Sequence, residues 1–202
     1  MVTLTQRKEQ YRDDNDIVTE ANIGLTLCSF LGTACFFFTG LVMLNLSSLP
    51  FVVQLPVVYL VVSAVAFIIA SVIYANISGM DEQAVSRSSM IQAANWISEY
   101  PGIYLFLIAI PLIILGVTES MLVQYATAIA CYGSLLLYSI SPFSLDHRRF
   151  THRVSRAINT LLLLIFSVGV YLVALFSISY LLPIGILGLF VILAISFFSL
   201  SA

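Results

Sequence analysis

The sequence predicts an all-α integral membrane protein, with six transmembrane helices arranged as three antiparallel hairpins and the N and C termini cytoplasmic. Three observations carry this. Hydrophobic residues make up 60% of the 202, against roughly 45–50% in a soluble globular protein. Charged residues are 9%, against roughly 25%, and the mean hydropathy is +1.05. A soluble fold of this size has nowhere to hide that much apolar surface, so lipid is the solvent. Finally, the apolar stretches recur at the length of a bilayer crossing, about 20 residues each.

The elements follow in chain order. Residues 1–20 carry Arg7, Lys8 and Arg12 with Glu9, Asp13, Asp14, Asp16 and Glu20, and form an acidic cytoplasmic segment that cannot cross. Thr3 and Gln6 have capping-box spacing, and Leu4, Tyr11 and Val18 share one side, so residues 3–20 read as an interfacial helix or a solvated extension of the first span. The six-helix domain then occupies 21–202. Span one, 22–44, has no charge and reads as a retained signal anchor. Ser47, Ser48 and Pro50 mark a turn, and span two covers 54–77, with Pro56 tolerable in a first turn.

A first cytoplasmic loop covers 78–100. Within it, 82–99 carry Val85, Ile91, Trp96 and Ile97 and read as an in-plane amphipathic helix that Pro101 ends. Span three is 101–117 and span four 121–140, with Thr118-Glu119-Ser120 as the turn. A second cytoplasmic loop covers 141–156. The final apolar run folds back at Pro183 and Gly185, giving spans 157–181 and 184–202. All eight lysines and arginines fall on the tail and the two long loops, and the short turns on the other face hold none. The positive-inside rule therefore puts the tail, both loops and the C-terminus in the cytoplasm of a multi-pass cell-membrane protein.

Function is less legible. A net charge of −2 gives no basic stripe for nucleic acid. Ionisable groups inside a membrane are functional candidates by default, yet the predicted spans hold none; Glu99 sits at the cytoplasmic end of span three and Glu119 in an outer turn. No catalytic group and no cofactor is expected. His147 and His152 are five apart, which turns them roughly 140° from each other on a helix, a poor start for a metal site even with Asp146 nearby. Cys28 and Cys35, seven apart on one helix, sit too far apart for a disulfide. Asn45-Leu46-Ser47 is a glycosylation sequon, but it hugs the membrane, and the short-loop design looks prokaryotic.

Three sets of residues stand out. Gly24, Cys28, Gly32, Phe36 and Gly40 recur every four residues on span one, as a helix-packing or pore face. Gln54, Glu119 and Gln124 are candidates for an outer mouth. Asp13, Asp14, Asp16 and Glu20 can clasp Arg148, Arg149, Arg153 and Arg156, or the arginines can bind anionic headgroups at about 1 kcal/mol each. The two loop starts, YANISGMD from Tyr74 and YSISPFSLD from Tyr138, are also alike, as a worn repeat or as the ordinary aromatic belt.

These features lead to one main expectation: a small polytopic protein without catalytic groups, self-associating or serving as a subunit of a membrane complex. An alternative is a cation channel or facilitator whose path is lined by span one. A second alternative is a lipid-active enzyme using His147 and His152. The expected partners are the bilayer with its anionic headgroups, and a second copy or another membrane protein.

Overall fold

The computed structural model describes residues 4–44, 53–79, 84–140, 153–176, 184–185 and 187–188, with the side chains of 4–16, 84–89, 139–140 and 153–160 outside the description. All regular structure among the described residues is helical: α1 (Leu4–Leu44), α2 (Gln54–Gly79), α3 (Ala84–Ile97), a π-helical segment (Ser98–Tyr104), α4 (Leu105–Val117), α5 (Met121–Ile140) and α6 (Arg153–Phe176). Among the described residues, four stretches are long and apolar enough to cross a membrane: Ile17–Leu44, Gln54–Gly79, Met90–Val117 and Met121–Tyr138. The apolar part of α6, Leu161–Phe176, is shorter. Most of 184–202, the Asn45–Pro50 turn and residues 141–152 lie outside the described residues.

The third crossing departs from the sequence expectation. Pro101 does not end a helix there. The chain is helical from Ala84 to Val117, and the apolar stretch begins at Met90, so the 82–99 segment and span three are one element. The proline lies inside the π segment. In an α-helix its ring strikes the carbonyl four residues back; the wider π turn relieves that clash. Five consecutive residues, Ser98 to Gly102, are buried there. A helix packed along one stripe cannot bury five in a row, so this stretch has neighbours on several sides.

The first helix also departs from expectation. Its face of small residues predicts a buried, central helix, but only 28% of its apolar stretch is buried, against 50% for Gln54–Gly79 and for Met90–Val117. The centre is therefore α2 with the α3–π–α4 run, and α1 and α5 flank them. Contact runs along one narrow face of α1, through Ala21, Cys28, Cys35 and Val42, all buried. These residues are seven apart. A seven-residue step drifts only about 20° around a helix, whereas a four-residue step drifts about 40°. The Gly24–Cys28–Gly32–Phe36–Gly40 stripe therefore leaves the contact face: Phe36 is exposed and nothing lies near a Cβ built on Gly40.

Two glycines make sockets on that face. A Cβ on Gly24 would lie 2.5 Å from the Tyr74 ring, and one on Gly32 would lie 3.3 Å from the Phe67 Cβ. Asn22 accepts from Ser78 at 2.9 Å, and Cys35 meets Ser63 at 3.6 Å. As numbers rise on α1 they fall on α2, so the two helices run antiparallel. Small residues allow such close approach, which in lipid drives association through van der Waals contact. The other face of Phe67 meets Gly102, where a Cβ would lie 2.8 Å from the ring. Phe67, fully buried, is thus keyed between α1 and the π segment.

Elsewhere, aromatic edges join the helices. Tyr104 meets Tyr138 of α5 edge-on at 6.2 Å, and Tyr132 of α5 meets Tyr171 of α6 at 6.0 Å. Tyr59 of α2 donates to the Gly185 carbonyl at 2.9 Å.

The Phe67 key predicts that Gly102→Ala lowers the unfolding free energy by about 1–3 kcal/mol, because the added methyl has to displace a ring without free space. Gly40→Ala, which meets nothing, changes it by less than about 0.5 kcal/mol. Thermal unfolding in detergent, followed by circular dichroism, checks both.

Candidate functional site

A cavity of about 160 Å³ opens where α1, α2, α3, the π segment and the end of α5 converge. Its polar lining comes from Glu20, Cys28, Tyr74, Asn95, Ser98, Glu99 and Tyr138, and its apolar lining includes Ile23, Leu27 and Ile103. Each element contributes for a local reason. On α1, Glu20, Gly24 and Cys28 recur at four-residue intervals, short enough for the stripe still to face inward. Gly24 leaves room for the Tyr74 ring to lie across it. On the third crossing, Asn95, Ser98 and Glu99 are at i, i+3 and i+4, one face of the helix.

Two hydrogen-bonded chains organise the polar groups. Tyr74 donates its hydroxyl to Asn95 Oδ1 at 2.5 Å, and Asn95 Nδ2 donates to Glu20 Oε1 at 2.8 Å. The amide is therefore oriented, oxygen to the phenol and nitrogen to the carboxylate, and it links three helices. The second chain is shorter: Tyr104 donates to Glu99 Oε1 at 2.9 Å. Glu99 is only 2% exposed. Ser98 turns back to the Asn95 carbonyl at 2.9 Å, a local bond that keeps the last turn of α3 closed.

Chemically, the pocket presents two carboxylates, one from α1 and one from the π segment, together with tyrosine rings and aliphatic side chains. That combination attracts a cation with some apolar surface, through charge and through ring faces. Among the described residues, no three His, Cys, Asp or Glu side chains converge as metal ligands.

The structure scatters the residue sets singled out from the sequence. Gly24, Cys28 and Glu20, drawn from two different sets, meet in this cavity. Gly32 lies beneath Phe67, and Phe36 and Gly40 are on the exposed side. Of the outer-mouth candidates, Gln54 and Glu119 are exposed. Gln124 is used within its own turn: its Nε2 donates to the Thr118 carbonyl at 2.6 Å and its N–H to the Ser120 carbonyl at 3.0 Å. Asp13, Asp14 and Asp16 lie on the N-terminal part of α1, and Arg153 and Arg156 on the first turns of α6. Their side chains fall outside the description, as do Arg148, Arg149, His147 and His152 altogether.

Sequence reasoning missed Glu99 as a site residue, although a signal was present. Between Arg87 and Glu119 it is the only charged residue. Reading Pro101 as a helix start placed it in a loop instead. The Tyr74 and Tyr138 of the two similar loop starts also line the same cavity.

Comparison with known proteins returns no matching family model, no matching curated protein and no matching solved structure. The chemistry of the pocket is therefore the guide to function.

The Tyr74–Asn95–Glu20 chain predicts coupled losses. Asn95→Leu removes one hydrogen bond from each of Tyr74 and Glu20 and costs about 1–3 kcal/mol of stability. Tyr74→Phe costs less, and the double variant falls short of the sum by at least about 0.5 kcal/mol. A double-mutant cycle on unfolding in detergent measures this.

Proposed function

We propose that this protein is a cation facilitator of the cell membrane, with the first span forming one wall of its binding pocket. The observation that carries the reading is the buried Glu99 carboxylate within the Met90–Val117 crossing. Centring about 20 residues of hydrocarbon-spanning helix on that stretch puts Glu99 roughly 7 Å inside the boundary. Acidic residues at such depth face a cavity and mark ion or solute paths. Glu20, on α1, adds a second carboxylate nearer the surface. The cavity volume and the tyrosine rings fit a compact ammonium-type cation.

The topology that goes with this function has six spans in three antiparallel hairpins, with the tail, both long loops and the C-terminus cytoplasmic. The distribution of the eight basic residues supports it. Glu20, Tyr74, Glu99 and Tyr138 all lie in the half of their crossings nearer the basic segments, so the pocket opens toward the cytoplasm. The arginines of 148–156 then border the same face, where they engage anionic headgroups.

A second reading, self-association or docking on another membrane protein, is supported by one observation. The outer side of α1 carries Phe30, Phe36, Phe37 and Phe38, all exposed. The particle mass after gentle detergent extraction tests it, and a lone monomer counts against it.

For the first reading, purified protein in liposomes takes up tetramethylammonium or potassium above the level of empty vesicles. Glu99→Gln lowers that uptake by at least about tenfold, equivalent to about 1.4 kcal/mol. Glu119→Gln, exposed in the turn far from the pocket, leaves it unchanged. Wild-type uptake equal to empty vesicles for both cations overturns the proposal.

A further inference from the structure

We propose that Ser63 is the positioning residue of the pocket: by holding the Gly102 carbonyl it fixes the π register of Ser98–Tyr104 and so keeps Glu99 at the cavity. Ser63 is completely buried in the middle of α2 and donates to the Gly102 carbonyl at 2.7 Å. Its only proton is committed there, so the Cys35 thiol, 3.6 Å away on α1, donates to it. One hydroxyl thus joins three helices at the level of the π segment.

The acceptor lies where the backbone ladder changes. Leu105, the first residue of α4, returns its N–H to Gly102 rather than to a carbonyl four residues back. The Gly102 carbonyl therefore already accepts one backbone N–H, and its second lone pair is open to a donor from a neighbouring helix that ties it in place. Ser63 supplies it. Phe67, one turn along α2, fills the space over Gly102 and blocks sideways movement. Glu99 is three residues upstream, inside the same π segment. Relaxation to α geometry would rotate everything upstream of the junction relative to α4, by up to about 100° for one residue of register. The Glu99 carboxylate would then leave Tyr104 and the cavity. Ser63 itself does not line the cavity, so its effect reaches any bound solute through Glu99.

The inference rests on the cation reading only for its binding measurement. Protein carrying ¹³C at the glutamate Cδ is placed in lipid nanodiscs, and the Glu99 carboxyl resonance is assigned by its loss in Glu99→Gln. Tyr104→Phe gives the shift that accompanies loss of the tyrosine hydrogen bond. Ser63→Ala is expected to move the Glu99 resonance in the same direction as Tyr104→Phe. It is also expected to weaken tetramethylammonium binding by at least about tenfold. Cys35→Ala removes the other partner of Ser63 and leaves the Gly102 bond; the resonance stays in place and binding stays within about threefold. The proposal is overturned if Ser63→Ala leaves the resonance at its wild-type position. It is equally overturned if Ser63→Ala and Cys35→Ala move it alike, since that is general loosening. If the wild type binds no tetramethylammonium but Ser63→Ala alone moves the resonance, the ammonium reading falls and the positioning role stands.

Discussion

A carboxylate taken out of water must be solvated by the protein, and that requirement at Glu99 governs the architecture around it. The effective penalty for an unpaired buried ion is several kcal/mol. Tyr104, five residues along the same segment, supplies a hydroxyl at 2.9 Å. In a regular α-helix, residues five apart point in clearly different directions; in a π turn they come back toward the same side. The unusual backbone and the satisfied carboxylate are therefore two sides of one arrangement. The glycine at 102 and the ring of Phe67 follow from it, because the widened segment needs a close neighbour to fill the space beside it.

The same requirement explains why the interior belongs to α2 and the α3–π–α4 run. A polar segment in lipid needs cover, and Ser98 to Gly102 are buried, with Ser63 and Phe67 of α2 set against Gly102. α1 contributes a narrow stripe of small and thiol-bearing residues and leaves its aromatic residues outward. Polarity is thereby concentrated at one end of the bundle, and the remainder of each crossing is held by apolar contact and edge-on tyrosines.

Much of the helical content was legible because an apolar stretch of bilayer length has few alternatives. The Met121–Tyr138 crossing and the Thr118–Ser120 turn stand within a residue or two of where composition put them. Two kinds of information were not legible. Pro101 reads as a terminator only if the helix around it is α, and nothing local in SEYPGIY announces a π turn. Likewise, the face of α1 depends on which partner it meets. The four-residue stripe of small residues is real in sequence, but packing against α2 follows the seven-residue drift, which keeps Gly24 and Gly32 and discards Gly40. Individual pocket residues such as Glu20, Gly24 and Cys28 were visible, in separate groups, because their convergence is set by the antiparallel register of two helices.

The continuity of α1 has a mechanical consequence. The helix has no break from Leu4 to Leu44, so the part before Ile17 and the part that walls the pocket move as one rod. Its tightest contact near that end is Gly24 against Tyr74, which acts as a fulcrum. Leu4 is roughly 30 Å from it and Glu20 roughly 6 Å, at 1.5 Å per residue. A sideways displacement at Leu4 is therefore geared down about fivefold at Glu20. Large displacements at the Leu4 end become sub-ångström to ångström adjustments of the wall that carries Glu20.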